Sequence, residues 1–261
     1  MARAGLDRCA AYAVTSVQGE LTSYAARRCM AAGFRDVAVL TDLELEVPTI
    51  PIEPLTGIGD YNAFLNRRLV EHVTTPFVLV FQWDGFVLDP GAWTDAFLDY
   101  DYIGAPWEEA SAPPGRRVGN GGFSLRSRRL LEALQDPALA FDPRRPEDKV
   151  ICRELRPALE ARHGVRFAPV ELAARFAFEH LPPPHPTFGF HGHANLPLAM
   201  PEADLWVALE ELPDRLWSEG RIWSWIVRLR KLGRAGQADR LHRHCLEAFP
   251  DRTAAWPDPG V

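Results

Sequence analysis

Phe77-Val78-Leu79-Val80-Phe81-Gln82-Trp83-Asp84-Gly85 is a short apolar run that ends on a carboxylate and a glycine. Five apolar residues in a row fit a buried strand, and Asp84 then falls at its carboxyl end. In open α/β sheets that edge is where ligands and metals sit. The same pair also reads as a plain turn, because Asp-Gly is a common turn dipeptide. A second stretch, Val118-Gly119-Asn120-Gly121-Gly122-Phe123-Ser124-Leu125-Arg126, places glycines just before another strand, Phe123 to Leu125. There the backbone can approach a ligand closely or take up positive φ.

The rest of the chain arranges itself around that strand. Ala11 to Val17 reads as a first buried strand, and Leu21 to Ala32 as a helix that closes on Gly33. Val37 to Thr41 reads as a second strand closed by Asp42, and strand, helix, strand predicts a parallel βαβ unit. The Pro- and Gly-rich segment Pro48 to Gly59 is loop, with Ile50 and Ile52 on a short strand. Asp60 to Val73 is the next helix, with Asp60 as N-cap and Phe64, Leu65, Leu69 and Val73 on its apolar face. Beyond the central strand come a short helix from Pro90 to Phe97, a strand over Tyr100 to Gly104 and a loop from Ala110 to Arg117 able to fold over a ligand. Ser127 to Leu134 and Glu147 to His163 are helical, the latter bent at Pro157, and Phe188 to His193 is extended.

After Pro201 the pattern is helical only. Leu232-Gly233-Arg234 at a turn, Ala238 in the second helix and Pro250 after it resemble one tetratricopeptide-type helix pair, which needs something to pack on. Four tryptophans here, Trp206, Trp217, Trp223 and Trp225, read either as the helices' packing face or as an anchor for a partner or a membrane surface. The expected fold is α/β, a mixed, mainly parallel sheet flanked by helices over residues 1–200, with a helical tail over 201–261.

Composition narrows the function. A net charge of -6 argues against nucleic acid as the main partner, because phosphate backbones need a clustered positive field. Four cysteines without CxxC spacing fit reduced thiols better than a disulfide scaffold or zinc ribbon. Without a long apolar segment, the expectation is a cytoplasmic protein with no transmembrane span, one that can still work at the inner face of a membrane. The chain also lacks GxGxxG, a Walker loop and a G-x-S-x-G elbow, the fingerprints of dinucleotide, ATP-hydrolysis and serine-hydrolase sites.

Taken in order, the apolar strand, Gln82-x-Asp84-Gly85, Asp101 to Trp107, Gly119 to Ser127, Glu147-Asp148 and a late His191 resemble a bacterial glycosyltransferase-like family described as a domain of unknown function. The layout, over Tyr12 to Pro197, is also similar to GT-A glycosyltransferases of the β-galactosyltransferase type. This resemblance implies a GT-A-like, Rossmann-like fold that moves a sugar from a nucleoside-diphosphate sugar to an acceptor hydroxyl on a glycan, a lipid-linked group or a protein. It implies a divalent cation, Mn²⁺ or Mg²⁺, held by Asp84 and His191, with His193 as an alternative. Such a hard ion neutralises charge on the departing diphosphate.

Asp148 would be the base that takes the acceptor proton if the anomeric centre is inverted, with Glu147 orienting the acceptor. An acidic first turn, favoured by the helix dipole, accounts equally for this pair. Asn120, Gly121 and Gly122 would form the floor under the sugars, and Trp107 would stack on a sugar face or pack in the core. Thr15 with Ser16, Asp42, and Asn62 with Tyr61 would meet base and ribose. Arg126 reads as a phosphate contact or a surface ion pair. Gln82 stands where the Asp-x-Asp pattern has its first carboxylate; it is expected at the ribose or phosphate, with Asp89 as a possible helper to Asp84. That departure supports the main rival, a catalytically degenerate sugar-nucleotide-binding module whose helical tail docks a protein partner. The enzymatic rival is a sugar-nucleotide hydrolase or a nucleotidyltransferase, for which Gln18-Gly19-Glu20 is a poor phosphate loop.

Overall fold

The computed structural model describes residues 5–108, 116–180 and 182–256. The chain divides into two compact units, Met1–Gly192 and His193–Val261. The first is a mixed α/β unit on a six-stranded sheet of order β3-β2-β1-β4-β6-β5. The strands are β1 (Cys9–Val14), β2 (Asp36–Thr41), β3 (Thr49–Pro51), β4 (Phe77–Phe81), β5 (Tyr102–Gly104) and β6 (Phe123–Ser127). β1 and β4 are buried along their whole length, which is why they read as unbroken apolar runs. β1 pairs in parallel with both β2 and β4, and β2 in parallel with β3.

β6 is the exception, running antiparallel to both of its neighbours. Phe123, its first residue, therefore pairs with Phe81, the last of β4. The glycine loop before β6 and the Gln82–Asp84 turn after β4 thus meet at one sheet edge. The chain leaves β1 toward β2 on one side and returns to β4 on the other. That reversal puts a topological switch point, the usual ligand crevice of an open α/β sheet, between β1 and β4 at this edge.

The flanking helices follow their apolar faces. α1 (Gly19–Ala32) ends at Gly33, whose φ of 94° is the left-handed C-cap expected there. α2 (Ile58–Ala63) runs through a π-turn, Phe64–Arg68, into α3 (Leu69–His72), and Phe64, Leu65, Leu69 and Val73 pack with Ala10, Tyr12, Val78 and Val80 of the sheet. Asp60 is not its N-cap. The helix starts earlier, after Gly57, and Asp60 Oδ2 reaches back to accept from Thr56 N (2.8 Å) and Oγ1 (2.6 Å). β1 ends at Val14 rather than Val17, because Thr15 Oγ1 turns the chain by donating to Val17 O at 2.6 Å. The Pro90–Phe97 segment forms two 3₁₀ turns instead of one helix, capped by Asp89 and Thr94.

α4 (Arg128–Ala133) is capped by Ser127. The acidic start α5 (Glu147–Lys149) continues as a π-turn, Val150–Glu154, and breaks at Leu155 before α6 (Arg156–His163). The break precedes Pro157, which sits in the first turn of α6 where its missing N–H costs nothing. α7 (Val170–Phe176) leads into β7 (Ala177–Phe178), which pairs in parallel with β8 (Gly189–Phe190), Phe178 opposite Phe190. Residues 110–115 of the loop expected to cover a ligand lie outside the described residues.

The second unit is helical: α8 (Leu196–Ala199), α9 (Glu202–Glu211), α10 (Asp214–Ser218), α11 (Arg221–Lys231), α12 (Ala235–Ala248) and α13 (Pro250–Thr253). α11 and α12 turn at Gly233 (φ 73°), and Ala238 is fully buried between them and their neighbours. Trp217 and Trp225 are buried, Trp206 stacks on His244 at 4.3 Å and Trp223 packs edge-on to His242 at 5.5 Å, so the four tryptophans pack within the unit. Among the described residues no helix is long and apolar enough to cross a membrane.

Asp101, just before β5, ties three segments of the first unit together. Its carboxylate accepts from Ser127 Oγ (2.6 Å), Arg166 N (2.7 Å) and Arg129 Nε (3.0 Å). Burial alone would raise its pKa, but these donors and the Arg129 charge hold it below the ordinary carboxylate value. A depressed folded pKa means stability that is present above the unfolded pKa and lost as pH falls through the folded one. Asp101→Asn is therefore expected to cost about 2 kcal/mol at pH 7. In denaturant unfolding, its deficit against wild type should shrink below pH 4.

Candidate functional site

The sheet edge below the switch point opens into a cleft of about 500 Å³ lined by Tyr61, Asn62, Gln82, Trp107, the Asn120–Gly122 loop, Glu147, Asp148 and His191, among others. A second hollow of about 640 Å³, beside β3 and the α2–α3 stretch, is walled by Ile52, Leu55 and Phe64 and contains none of the expected site residues.

His191, in the cleft lining, meets Asp84, which is buried and outside that lining: His191 Nε2 lies 3.4 Å from Asp84 Oδ1, 107 positions away in sequence. Register explains the approach. Gln82 N donates to Gly122 O at 2.9 Å, which extends the β4–β6 pairing past the strand ends. Gly122 leaves room for the imidazole, since a Cβ there would fall 2.0 Å from His191 Nε2. Gly121 is equally confined, with Glu147 Oε1 1.9 Å from where its Cβ would be. The missing side chains of this loop therefore make space for functional groups of the chain itself.

Glu179, which the sequence reading missed, completes the histidine's surroundings. β7 and β8 are parallel and in register, so the residues that follow them, Glu179 and His191, stand side by side. His191 N donates to Phe178 O at 2.9 Å, and His191 Nδ1 lies 3.5 Å from Glu179 Oε1. Burial would lower the histidine's pKa, but Asp84 and Glu179 overcome it and push it to about 10. Glu179 is half-buried; desolvation would raise its pKa, yet His191 and the Asn120 side chain hold it below the ordinary value.

Gln82 is part of the same cluster. Its Nε2 donates to Tyr61 OH (2.6 Å), and its Oε1 lies 3.1 Å from His191 Nε2. Among the described residues no three His, Cys, Asp or Glu side chains form a metal-binding group. Asp84 and His191, the two expected ligands, are adjacent without being part of such a group. Their surroundings fit a cation: a ligating imidazole commonly has a carboxylate on its other nitrogen, which is the place Glu179 takes. A Mg²⁺- or Mn²⁺-type ion bound by one carboxylate completes its shell with substrate phosphates.

On the opposite wall, Glu147 is 4% exposed and its Oε1 accepts from Arg126 at 2.6 Å. Burial raises its pKa to about 6, against the opposing pull of Arg126. Arg126 is fully buried, so it is neither a surface ion pair nor a phosphate contact. Glu147 Oε2 and Asn120 Oδ1 are buried without a hydrogen-bond partner among the described residues, although both side chains belong to cleft-lining residues. Asn120 holds φ at 58°, a left-handed turn that Asn tolerates. Asp148 is half-buried beside Glu147 and accepts from Lys149 N at 2.7 Å.

Other expected residues lie elsewhere. Trp107 is in the cleft wall but only 7% exposed, with the Arg153 guanidinium 4.2 Å from its ring centroid. Asn62 lines the cleft while its amide donates to Pro143 O at 2.8 Å, so that end is structural. Thr15 and Asp42 are outside the cleft lining, and Asp42 is exposed. Asp89 is outside the cleft lining, and its Oδ1 caps the next turn by accepting from Gly91 N at 2.6 Å. His193 belongs to the second unit, where Trp225 Nε1 donates to its Nδ1 at 3.2 Å.

A family described as "Protein of unknown function (DUF5672)" matches residues 44–191, which include Gln82, Asp84, the glycine loop, Glu147, Asp148, Glu179 and His191. No curated protein matches the chain. Among solved structures it is similar to a glycosyltransferase involved in the glycosylation of the major capsid of PBCV-1, at 13% identity, covering 61% of this chain and 80% of that one, with a TM-score of 0.39. It is also similar to A197 from STIV, at 12% identity over the same shares, with a TM-score of 0.34. A third likeness is the mannosyltransferase PcManGT from Pyrobaculum calidifontis in complex with GDP-Man and Mn²⁺, at 13% identity, covering 97% of this chain and 76% of that one, with a TM-score of 0.45.

Proposed function

We propose that this chain, which belongs to the protein family described as of unknown function (DUF5672), is a glycosyltransferase that moves a sugar from a nucleoside-diphosphate sugar to an acceptor hydroxyl. One observation carries the reading. Asp84 Oδ1 lies 3.4 Å from His191 Nε2 at the carboxyl end of the sheet, and His191 lines the cleft together with Glu147 and Asp148. A carboxylate-imidazole pair facing a second carboxylate pair across a glycine floor suits a reaction with an anionic leaving group and a proton to remove.

Asp84 and His191 would hold a divalent cation, with the Gln82 amide oxygen beside them, and that cation supplies charge neutralisation for the departing diphosphate. Glu179 orients the imidazole. Asp148, half-buried at the mouth, is the group that would accept the proton of the attacking hydroxyl if the anomeric centre is inverted. Glu147 is committed to Arg126 through Oε1 and keeps Oε2 for an acceptor hydroxyl, a role consistent with orienting the acceptor as in the β-galactosyltransferase type.

Calorimetric titration of UDP and GDP, with and without Mn²⁺, tests the reading on wild type and Asp84→Ala. The expected result is Mn²⁺-dependent binding that weakens at least about tenfold in Asp84→Ala. Absence of nucleoside diphosphate binding under every condition would sink it. Metal-independent binding without turnover would favour the degenerate module, which draws on the neutral Gln82 and its ties to Tyr61 and His191.

A further inference from the structure

We infer that Arg153 anchors an anionic group of the acceptor, a phosphate or a carboxylate close to the hydroxyl that is glycosylated; the acceptor role rests on the transferase reading. Arg153 lies on the π-turn Val150–Glu154, five residues past Asp148, and lines the same cleft. Its guanidinium is laid over the Trp107 ring at 4.2 Å. Trp107 is itself held in place: its N–H donates to Arg117 O at 2.7 Å, and Arg117 Nε donates to Trp107 O at 3.2 Å. Gly119 gives the ring space, since a Cβ there would meet it at 2.0 Å. A guanidinium supported on an aromatic face keeps its in-plane N–H groups for an oxyanion.

The other arginines around this stretch already have carboxylates: Arg145 pairs with Glu154 at 2.6 Å, Arg156 with Glu160 at 2.8 Å and Arg126 with Glu147 at 2.6 Å. Arg153 has no ion pair or hydrogen-bond acceptor among the described residues, and its Nε is buried without a partner. Glu108, next to Trp107 in sequence, faces His180 at 3.6 Å instead. The whole chain carries -6, and Glu147, Asp148 and Glu179 line the cleft, so an anion is repelled unless placed cations draw it in. Arg153, with Lys149 in the same wall, supplies them.

Position separates this site from the donor's diphosphate. Trp107 follows β5, and β6 stands between β5 and β4, the strand that carries Asp84. On the transferase reading the diphosphate would lie with Asp84 and His191, whereas Arg153 is five residues past Asp148 on the same helical stretch.

The test titrates glucose 6-phosphate, glucuronate, neutral glucose and inorganic phosphate into the full chain, alone and loaded with the nucleoside diphosphate and Mn²⁺. Wild type, Arg153→Met and Arg153→Lys are compared. The two anionic sugars are expected to bind wild type about tenfold more tightly than glucose, and more tightly than inorganic phosphate. Arg153→Met should erase that preference, Arg153→Lys should keep part of it, and nucleoside diphosphate affinity should be the same in all three. If anionic and neutral sugars behave alike, including no binding by either, the inference falls. It also falls if Arg153→Met weakens the nucleoside diphosphate, because Arg153 then serves the donor. Arg153-dependent binding of anionic sugars by a protein that ignores nucleoside diphosphates would support the anion anchor while removing the transferase reading.

Discussion

Asp148→Asn is expected to lower glycosyl transfer about 10²- to 10⁴-fold while leaving nucleoside diphosphate binding intact. The expectation comes from how the first turn of α5 divides its two carboxylates. Glu147 points inward to the fully buried Arg126, and its acid-base behaviour is tied to that partner. Asp148, one residue on, is half-buried and lines the cleft, with only its own turn's Lys149 N–H on Oδ1. Of the two, Asp148 is the more exposed. An amide keeps the shape and removes the proton acceptor, so kcat should fall with KM for the donor nearly unchanged. Turnover that survives Asp148→Asn would remove the base role and favour a retaining course, in which no such base is required.

Those parts of the fold that rest on local chemistry were legible in the sequence. β4 was read to the residue because a strand buried on both faces is an unbroken apolar run. α1 and Gly33 were legible because a left-handed cap favours glycine. The boundaries that slipped did so where side chains reshape the backbone: Thr15 closing β1 early, and Asp60 reaching back to Thr56 rather than capping. The pairing of Asp84 with His191 depends on the antiparallel return of β6 and on the β7–β8 register, neither of which leaves a local mark; only the resemblance pointed to it. Glu179 did leave a faint trace. Ala177-Phe178-Glu179 and Gly189-Phe190-His191 are both a small residue, a Phe and a polar residue, and parallel pairing of the two sets the polar ends together.

Arg126 was misread for a physical reason that also yields the second large effect. An arginine alternating with apolar residues on a strand reads as solvent-facing, yet this one is fully buried over the Tyr102 ring with Glu147 2.6 Å away. Removing one partner of a buried pair strands the other charge in a poorly solvating place. Arg126→Met is therefore expected to destabilise the protein by about 3–5 kcal/mol at neutral pH, as measured by denaturant unfolding. Glu147→Gln should cost less, because Gln keeps an oxygen for the guanidinium. The pH dependence identifies the cause. Burial has already raised Glu147 to about 6 in the presence of Arg126, so the folded state holds a proton more readily than the unfolded chain. A raised carboxylate pKa makes stability decline as pH rises from the unfolded value through the folded one. Without Arg126 that pKa goes higher still, and the penalty at pH 7 is relieved by protonation. The gap between Arg126→Met and wild type should therefore narrow as pH falls from 8 toward 5. A gap independent of pH would mean that lost packing on Tyr102, and not the stranded Glu147 charge, is what the substitution exposes.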